Sequence, residues 1–199
     1  MNKDLYSAIK NRRSIYGISK EEIVSKEKIQ EVINHAVMHA PSAFNSQSAR
    51  VVILFGDNHD LLWDITRETL RKTQSAERFV ATDEKLNSFK NGYGTVLFFE
   101  EMSIVEGLQQ QFPKAKDNFP IWSQNSSGMV QYIVWTSLEQ EGLGASLQHY
   151  NPLIDEKVKK QWGIPASWKL SAEMPFGKPT AEPKEKEFQP IEMRVKVFK

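Results

Sequence analysis

Arg12, Arg13 and Ser14 stand together at the end of a short amphipathic stretch. Two fork-shaped guanidinium groups and a hydroxyl within one turn form a donor set suited to a phosphate monoester. The same tripeptide would also serve as a solvated basic helix end that complements the dipole. A second polar constellation starts at Pro41, where the chain reads PSAFNSQSAR. It lies between a helix and a buried strand, a setting in which loops commonly carry function. Asn45 and Gln47 each present a donor beside an acceptor, as the alternating carbonyl and imide edge of a flavin pyrimidine requires. Ser42 and Ala43 let a flat ring approach the backbone. Without such a ligand the loop reads as a helix-terminating turn whose amides satisfy nearby backbone groups.

Other patterns point to less. His35 and His39 have the i, i+4 spacing of a zinc pair but lack a third ligand. Gly142 and Gly144 begin a dinucleotide fingerprint whose third glycine is absent and whose helix precedes rather than follows. There is no GxSxG elbow. Glu100 and Glu101, adjacent at a strand end, should point to opposite faces and read as surface charge rather than an acid and base pair. Trp63, Trp135, Trp162 and Trp168 read as core or subunit-interface packing.

The elements that must hold these residues follow from periodicity. Leu5 and Ile9 mark a first amphipathic turn that ends before Gly17. Ser25 is placed to cap a helix with Val24 and Ile29 as its staple, and the stripe Ile29, Val32, Ile33, Ala36, Val37, Ala40 runs to Pro41. Arg50 to Phe55 predicts a buried strand that turns at Gly56 and Asp57 into a helix bearing Leu61, Leu62, Ile65 and Leu70. Asp83 to Phe89 reads as helix and Thr95 to Phe99 as a second, central strand. Glu106 to Trp122, with irregularly spaced Phe112, Pro113, Phe119, Pro120 and Trp122, reads as a lid or surface excursion. Ser123 to Glu141 is the longest helix candidate, with Gly142 as a left-handed cap. Leu143 to Tyr150 should run along an edge or loop, followed by a helix from Asp155 to Trp162. Leu170, Ala172, Met174 and Phe176 alternate as a strand, and Val195 and Val197 suggest that the tail also pairs with a sheet.

The 199 residues, with no repeat or linker, predict one domain over 1–199. The 26 basic and 25 acidic residues nearly cancel, so no field of one sign gathers nucleic acid or an anionic membrane. Met1 to Arg13 lacks a signal-peptide core and no stretch reaches the length of a bilayer span. Absence of cysteine excludes disulfides and thiolate chemistry, and fits the cytosol.

Taken in order, RRS, PSAFNSQ, EGLGASLQHY and FGKP followed by a basic tail resemble the FMN-dependent nitroreductase family, in its short bacterial and fungal branch, over essentially the whole chain. The resemblance implies an α+β fold, a central mostly antiparallel sheet surrounded by helices, and an intertwined homodimer with FMN between subunits. It implies that Arg12, Arg13 and Ser14 hold ribityl and phosphate, and that Ser42, Ala43, Phe44, Asn45 and Gln47 line the ring, part of each site coming from the partner. Leu147, Gln148, His149 and Tyr150 match the segment whose backbone amide faces the hydride-accepting nitrogen, without the family's usual proline or tryptophan. Lys186, Lys184 or Lys178 would close on the phosphate, and Arg50, Lys85 or Lys90 would lie near the ring carbonyl. The implied activity is transfer of hydride from NAD(P)H through FMN to nitroaromatics, quinones or similar flat acceptors by a ping-pong route. Because the cofactor would supply the chemistry, no catalytic side chain is named. The alternative is an FMN-binding redox sensor with little turnover.

Overall fold

The computed structural model describes residues 4–199; residues 1–3, which open the amino-terminal stretch read above, lie outside the described residues. The elements are α1 (Leu5–Asn11), β1 (Ile18–Ser19), α2 (Lys26–His39), β2 (Ala49–Phe55), α3 (Asp57–Arg71), α4 (Ala76–Lys90), β3 (Gly94–Glu101), α5 (Met102–Gln111), α6 (Phe119–Gln140), β4 (Gly144–Ala145), α7 (Asp155–Trp162) and β5 (Trp168–Pro179). The sheet runs β1-β5-β3-β2, with β4 also on β5, and every pair of named strands is antiparallel. The fold is therefore α+β.

Alternation along β3 explains how helices cover both faces. Val96 and Phe98 face α2 and α6, where they meet Ile29, Ile33, Val130, Val134 and Leu138. Leu97 and Phe99 face the other way, onto Leu62, Trp63 and Leu70 of α3 and Leu86 and Phe89 of α4. A strand covered on both sides needs apolar residues at every position, which is why Thr95–Phe99 reads as an unbroken run. Local signals set the helix ends. Ser25 Oγ accepts from Lys28 N–H at 3.2 Å at the start of α2. Gly142 takes φ +83°, which lets Leu143 N–H close on Leu138 O at 2.9 Å after α6.

Five expectations change. Residues 106–122 are mostly helical: α5 fills 102–111, a 3-10 stretch spans Pro113–Asn118, and α6 starts at Phe119 with Pro120 in its first turn. The aromatics there contact one another instead of forming a stripe, so helical periodicity is hidden. The strand at 50–55 lies at the sheet border and is half-buried except at Leu54. Val195 and Val197 stay exposed and outside the sheet of their own chain. Glu100 is wholly buried, not surface charge. Leu5 and Ile9 of α1 are exposed, and only Ala8 is buried.

Two buried ionisable groups set opposite pH responses. His59 Nδ1 lies 2.8 Å from Thr95 Oγ1 and Nε2 lies 3.2 Å from Lys90 O, while Trp63 Nε1 donates to the same threonine oxygen at 3.1 Å. These partners assign the proton to Nε2 of a neutral ring. Burial pulls His59 down to about 4 from 6.5. Burial also pushes Glu173 up to about 8 from 4.5. The stability held by neutral His59 is complete above its unfolded pKa and is lost as pH falls through the folded one; for Glu173 it is complete below 4.5 and is lost as pH rises through about 8. Glu173→Gln should therefore flatten the alkaline fall in Tm between about pH 5 and about pH 9, measured by thermal unfolding. An unchanged slope would show that Glu173 is already ionised at neutral pH.

Candidate functional site

The basic tripeptide sits where α1 hands over to the sheet. Arg12 caps the helix, its N–H bonded to Ala8 O. Ile15 N–H then donates to Ala145 O at 2.9 Å, and Ser14 bridges Ala145, which ties the tripeptide to β4. Glycine at 144 permits this approach, since a Cβ there would lie 2.8 Å from Ile15 Cγ2. The result is a cavity of about 700 Å³ lined by Arg12, Arg13, Ser14, Tyr16, Lys184 and Lys186, among others. The Arg12 guanidinium lies 4.3 Å from the Trp135 ring centre, and its Nε is buried with no hydrogen-bond partner. Arg13 donates to the Lys184 carbonyl and so holds the tail across the cavity.

Among the candidate lysines, Lys184 and Lys186 line this cavity, whereas Lys178 is bound to Glu21 at 2.7 Å on the β1 side. Of the three cations considered for the ring carbonyl, Lys90 is held by both oxygens of Asp64 at 2.7 Å. Arg50 is held by Gln47 O at 2.7 Å and Ala49 O at 3.0 Å. Lys85 lies 6.0 Å from the ring of Tyr16, a wall of the cavity.

The PSAFNSQ loop is strained. Phe44, Asn45 and Gln47 take φ of +57°, +51° and +46°, a region that costs a non-glycine residue roughly 1–2 kcal/mol. Several contacts hold it. Asn45 N–H donates to Ser42 O at 3.0 Å and Gln47 N–H to Ser42 Oγ at 3.0 Å, and Arg50 grips Gln47 O. Phe44 packs against Phe112, Phe119 and Trp122, with ring centres 5.0, 5.4 and 5.9 Å away. It is nonetheless 58% exposed, and Asn45 and Gln47 are exposed too. Phe44 and Ala43 join Trp122, Asn125, Ser126 and Met129 around an apolar cavity of about 380 Å³. A smaller cavity, about 180 Å³, includes Ser42, Gln47 and Arg50.

The segment at 147–150 lies along β5. Gln148 exchanges backbone bonds with Glu173 at 2.7 and 2.9 Å, and its side chain donates to Ser146 Oγ at 3.0 Å. Gln148 thus spends both amides inside the fold, and the alternation of an extended chain turns the N–H groups of Leu147 and His149 the other way. Tyr150 N–H donates to Glu173 Oε2 at 3.0 Å.

One chain does not bring these parts together. The Arg12 cavity and the two cavities at the loop share no lining residue. The tripeptide joins the sheet through Ala145, which pairs with Phe176 opposite Gly94, whereas Glu101 N–H bonds Ser48 O beside the loop. They occupy opposite ends of β3, about 23 Å apart along the strand at ~3.3 Å per residue. Sequence reading missed Glu100 and Trp135 as parts of these sites and placed Trp122 in a lid or surface excursion. A charge that directly follows the apolar run of β3 was the available signal for Glu100.

Comparison with known proteins agrees with this architecture. The model of the nitroreductase family matches residues 9–178. The nitroreductase FRM2 of Saccharomyces cerevisiae is 34% identical over 184 residues, 92% of this chain and 91% of the relative. The structure of nitroreductase CinD from Lactococcus lactis in complex with chloramphenicol is 43% identical, with a TM-score of 0.91 over 98% of this chain and 100% of that one. The complex of CinD with 4-nitrophenol is similar at 44% identity and a TM-score of 0.90 with the same coverage. Matches that span nearly the full length at this identity, on the antiparallel sheet and cavities described above, mean that the chain belongs to the nitroreductase family of oxidoreductases.

Proposed function

We propose that the chain is an FMN-dependent NAD(P)H oxidoreductase that acts as a homodimer on nitroaromatics, quinones or similar flat, electron-poor acceptors. The observation that carries the reading is the split between two complementary cradles, a basic one at Arg12, Arg13 and Ser14 and an amide-bearing one at Ser42–Gln47, set at opposite ends of β3. A phosphorylated ligand held by the first in one subunit would meet the second from its partner. Exposed Leu5, Tyr6, Ile9, Phe188, Ile191 and Phe198 supply the apolar surface that a partner would cover.

The donor set fits the group. Two guanidinium groups, a hydroxyl and the tail lysines Lys184 and Lys186 match a phosphate dianion, and the buried, unpartnered Arg12 Nε is a donor that such an acceptor would satisfy. Bound FMN would accept a hydride from the nicotinamide and pass it to the second substrate. The chain's own part is orientation and electrostatics. Asn45 and Gln47 would meet the pyrimidine edge, Ser42 and Ala43 would admit the ring, and Arg50, which is bound only to backbone carbonyls beside Gln47, or Lys85 beside Tyr16 would favour negative charge on the ring. The outward N–H groups of Leu147 and His149 would face the ring, with Gln148 as their anchor. Phe44, Trp122 and Met129 would hold nicotinamide and acceptor in turn by stacking and would exclude water. That CinD is found with chloramphenicol and with 4-nitrophenol supports aromatic acceptors for this chain. The reading puts the activity in the cytosol, where reduced nicotinamide is supplied.

The purified protein should be yellow, release FMN on heating and oxidise NADH or NADPH with 4-nitrophenol or a quinone. Flavin that stays oxidised under excess nicotinamide would favour the sensor instead, and colourless protein would overturn both. Replacing Arg12 and Arg13 together with alanine should weaken FMN retention by at least about 100-fold, since each charge-assisted contact contributes roughly 1.5–3 kcal/mol. Equal flavin occupancy after gel filtration would remove the phosphate assignment. Gln47→Gly should keep or raise the Tm of the apoprotein, because glycine accepts φ of +46° freely, while it weakens FMN retention. A stability loss with normal flavin binding would show that the strain serves folding alone.

A further inference from the structure

Glu100 closes β3 in a position where a carboxyl is costly. Its side chain has no solvent exposure, and its Oε1 has no hydrogen-bond partner. Oε2 accepts from two hydroxyls that belong to different walls of the ring-binding region: Ser48 Oγ at 2.7 Å and Ser123 Oγ at 2.6 Å. Ser48 directly follows Gln47 at the exit of the strained loop, and its carbonyl accepts from Glu101 N–H at 2.9 Å. Ser123 directly follows Trp122 in the first turns of α6. Burial pushes the Glu100 carboxyl up, while Ser123, Ser48, Ser127 and the nearby Arg50 guanidinium draw it back. Arg50 in turn holds Gln47 O.

We propose that Glu100 is a positioning residue that couples the Ser42–Gln47 loop to the start of α6, and so fixes the packed Phe44 and Trp122 rings that wall the cavity where flat substrates would lie. The role for substrates rests on the function proposed above; the mechanical coupling does not. Two short O–H···O bonds that converge on one buried oxygen make the link rigid. The partners explain why a buried acid is retained here: its oxygen is a common acceptor for hydroxyls from two segments, and an apolar residue at 100 would leave both buried hydroxyls without it. The loop cannot hold its own shape cheaply, because three of its residues are left-handed. Cutting either arm therefore loosens both walls.

The test uses Ser48→Ala and Ser123→Ala, which remove one hydroxyl each and retain the fold, together with the double variant and Glu100→Gln. Hydrogen exchange of the apoprotein reads the coupling without flavin. Each single serine variant should speed exchange about tenfold in both 42–48 and 119–126, the effect of losing one buried hydrogen bond. The double variant should add little to either single one, as expected of a link broken once. Glu100→Gln should keep both segments protected better than either serine variant, because its carbonyl oxygen still accepts. In the flavin-loaded enzyme the same serine variants should raise KM for 4-nitrophenol more than they lower kcat, at unchanged FMN occupancy.

Exchange that rises only in the segment carrying the substitution, or effects that add in the double variant, would overturn the coupling. Coupling intact in a protein that binds no FMN would sink the proposed function and leave this link standing. Normal turnover with uncoupled segments would do the reverse.

Discussion

The antiparallel ladder between β3 and β5 pairs Gly94 with Phe176 at one end and Glu101 with Trp168 at the other, with a shift in register between Phe98 and Phe99. Its length and double burial constrain the rest of the molecule. Because β3 is covered on both faces, helices must pack on either side, and the polar segments that could bind a ligand are displaced to the ends of the strand. The basic tripeptide reaches one end through β4, and the PSAFNSQ loop enters β2 beside the other. In the proposed dimer, two copies placed end against end would bring unlike cradles together.

The same ladder carries two carboxyls into the interior. Desolvation disfavours the charge of both, and the fold answers each with hydrogen-bond donors from the segments nearest the proposed ring site. Glu173 takes the Tyr150 N–H behind Leu147–His149, and Glu100 takes the hydroxyls of Ser48 and Ser123 behind the strained loop. Burial that would be wasteful in a plain scaffold is thus concentrated behind loops that need a fixed shape. Left-handed Phe44, Asn45 and Gln47 belong to the same economy of structure: their conformation is unfavourable by itself and is held by contacts on every side.

Much of this was legible in the chain. Helix limits at Ser25 and Gly142 depend on one side chain or one φ angle, and β3 was readable because every residue from Thr95 to Phe99 is needed by one face or the other. The candidate site residues were legible by type, since guanidinium and amide groups state their chemistry wherever they stand. Residues 102–122 were not, because their aromatics pack among themselves and with Phe44 and so erase the periodicity that marks a helix. β2 looked central since its residues are apolar, but a strand's place in a sheet depends on which neighbours it finds.

Sequence by itself determined the antiparallel α+β class through its resemblance to a known family, most of the helices and strands, and the chemical character of the two polar motifs. Each of these depends on local geometry or on residue type, which neighbours in the chain already fix. Tertiary structure alone decided that Lys184 and Lys186 share a cavity with Arg12 while Lys178 is taken by Glu21, that Lys90 is held by Asp64, and that Glu100 joins Ser48 to Ser123. Those outcomes depend on distances between residues as remote in the chain as Arg12 and Lys186 or Glu21 and Lys178, and such distances exist only once the β3–β5 ladder has set its register.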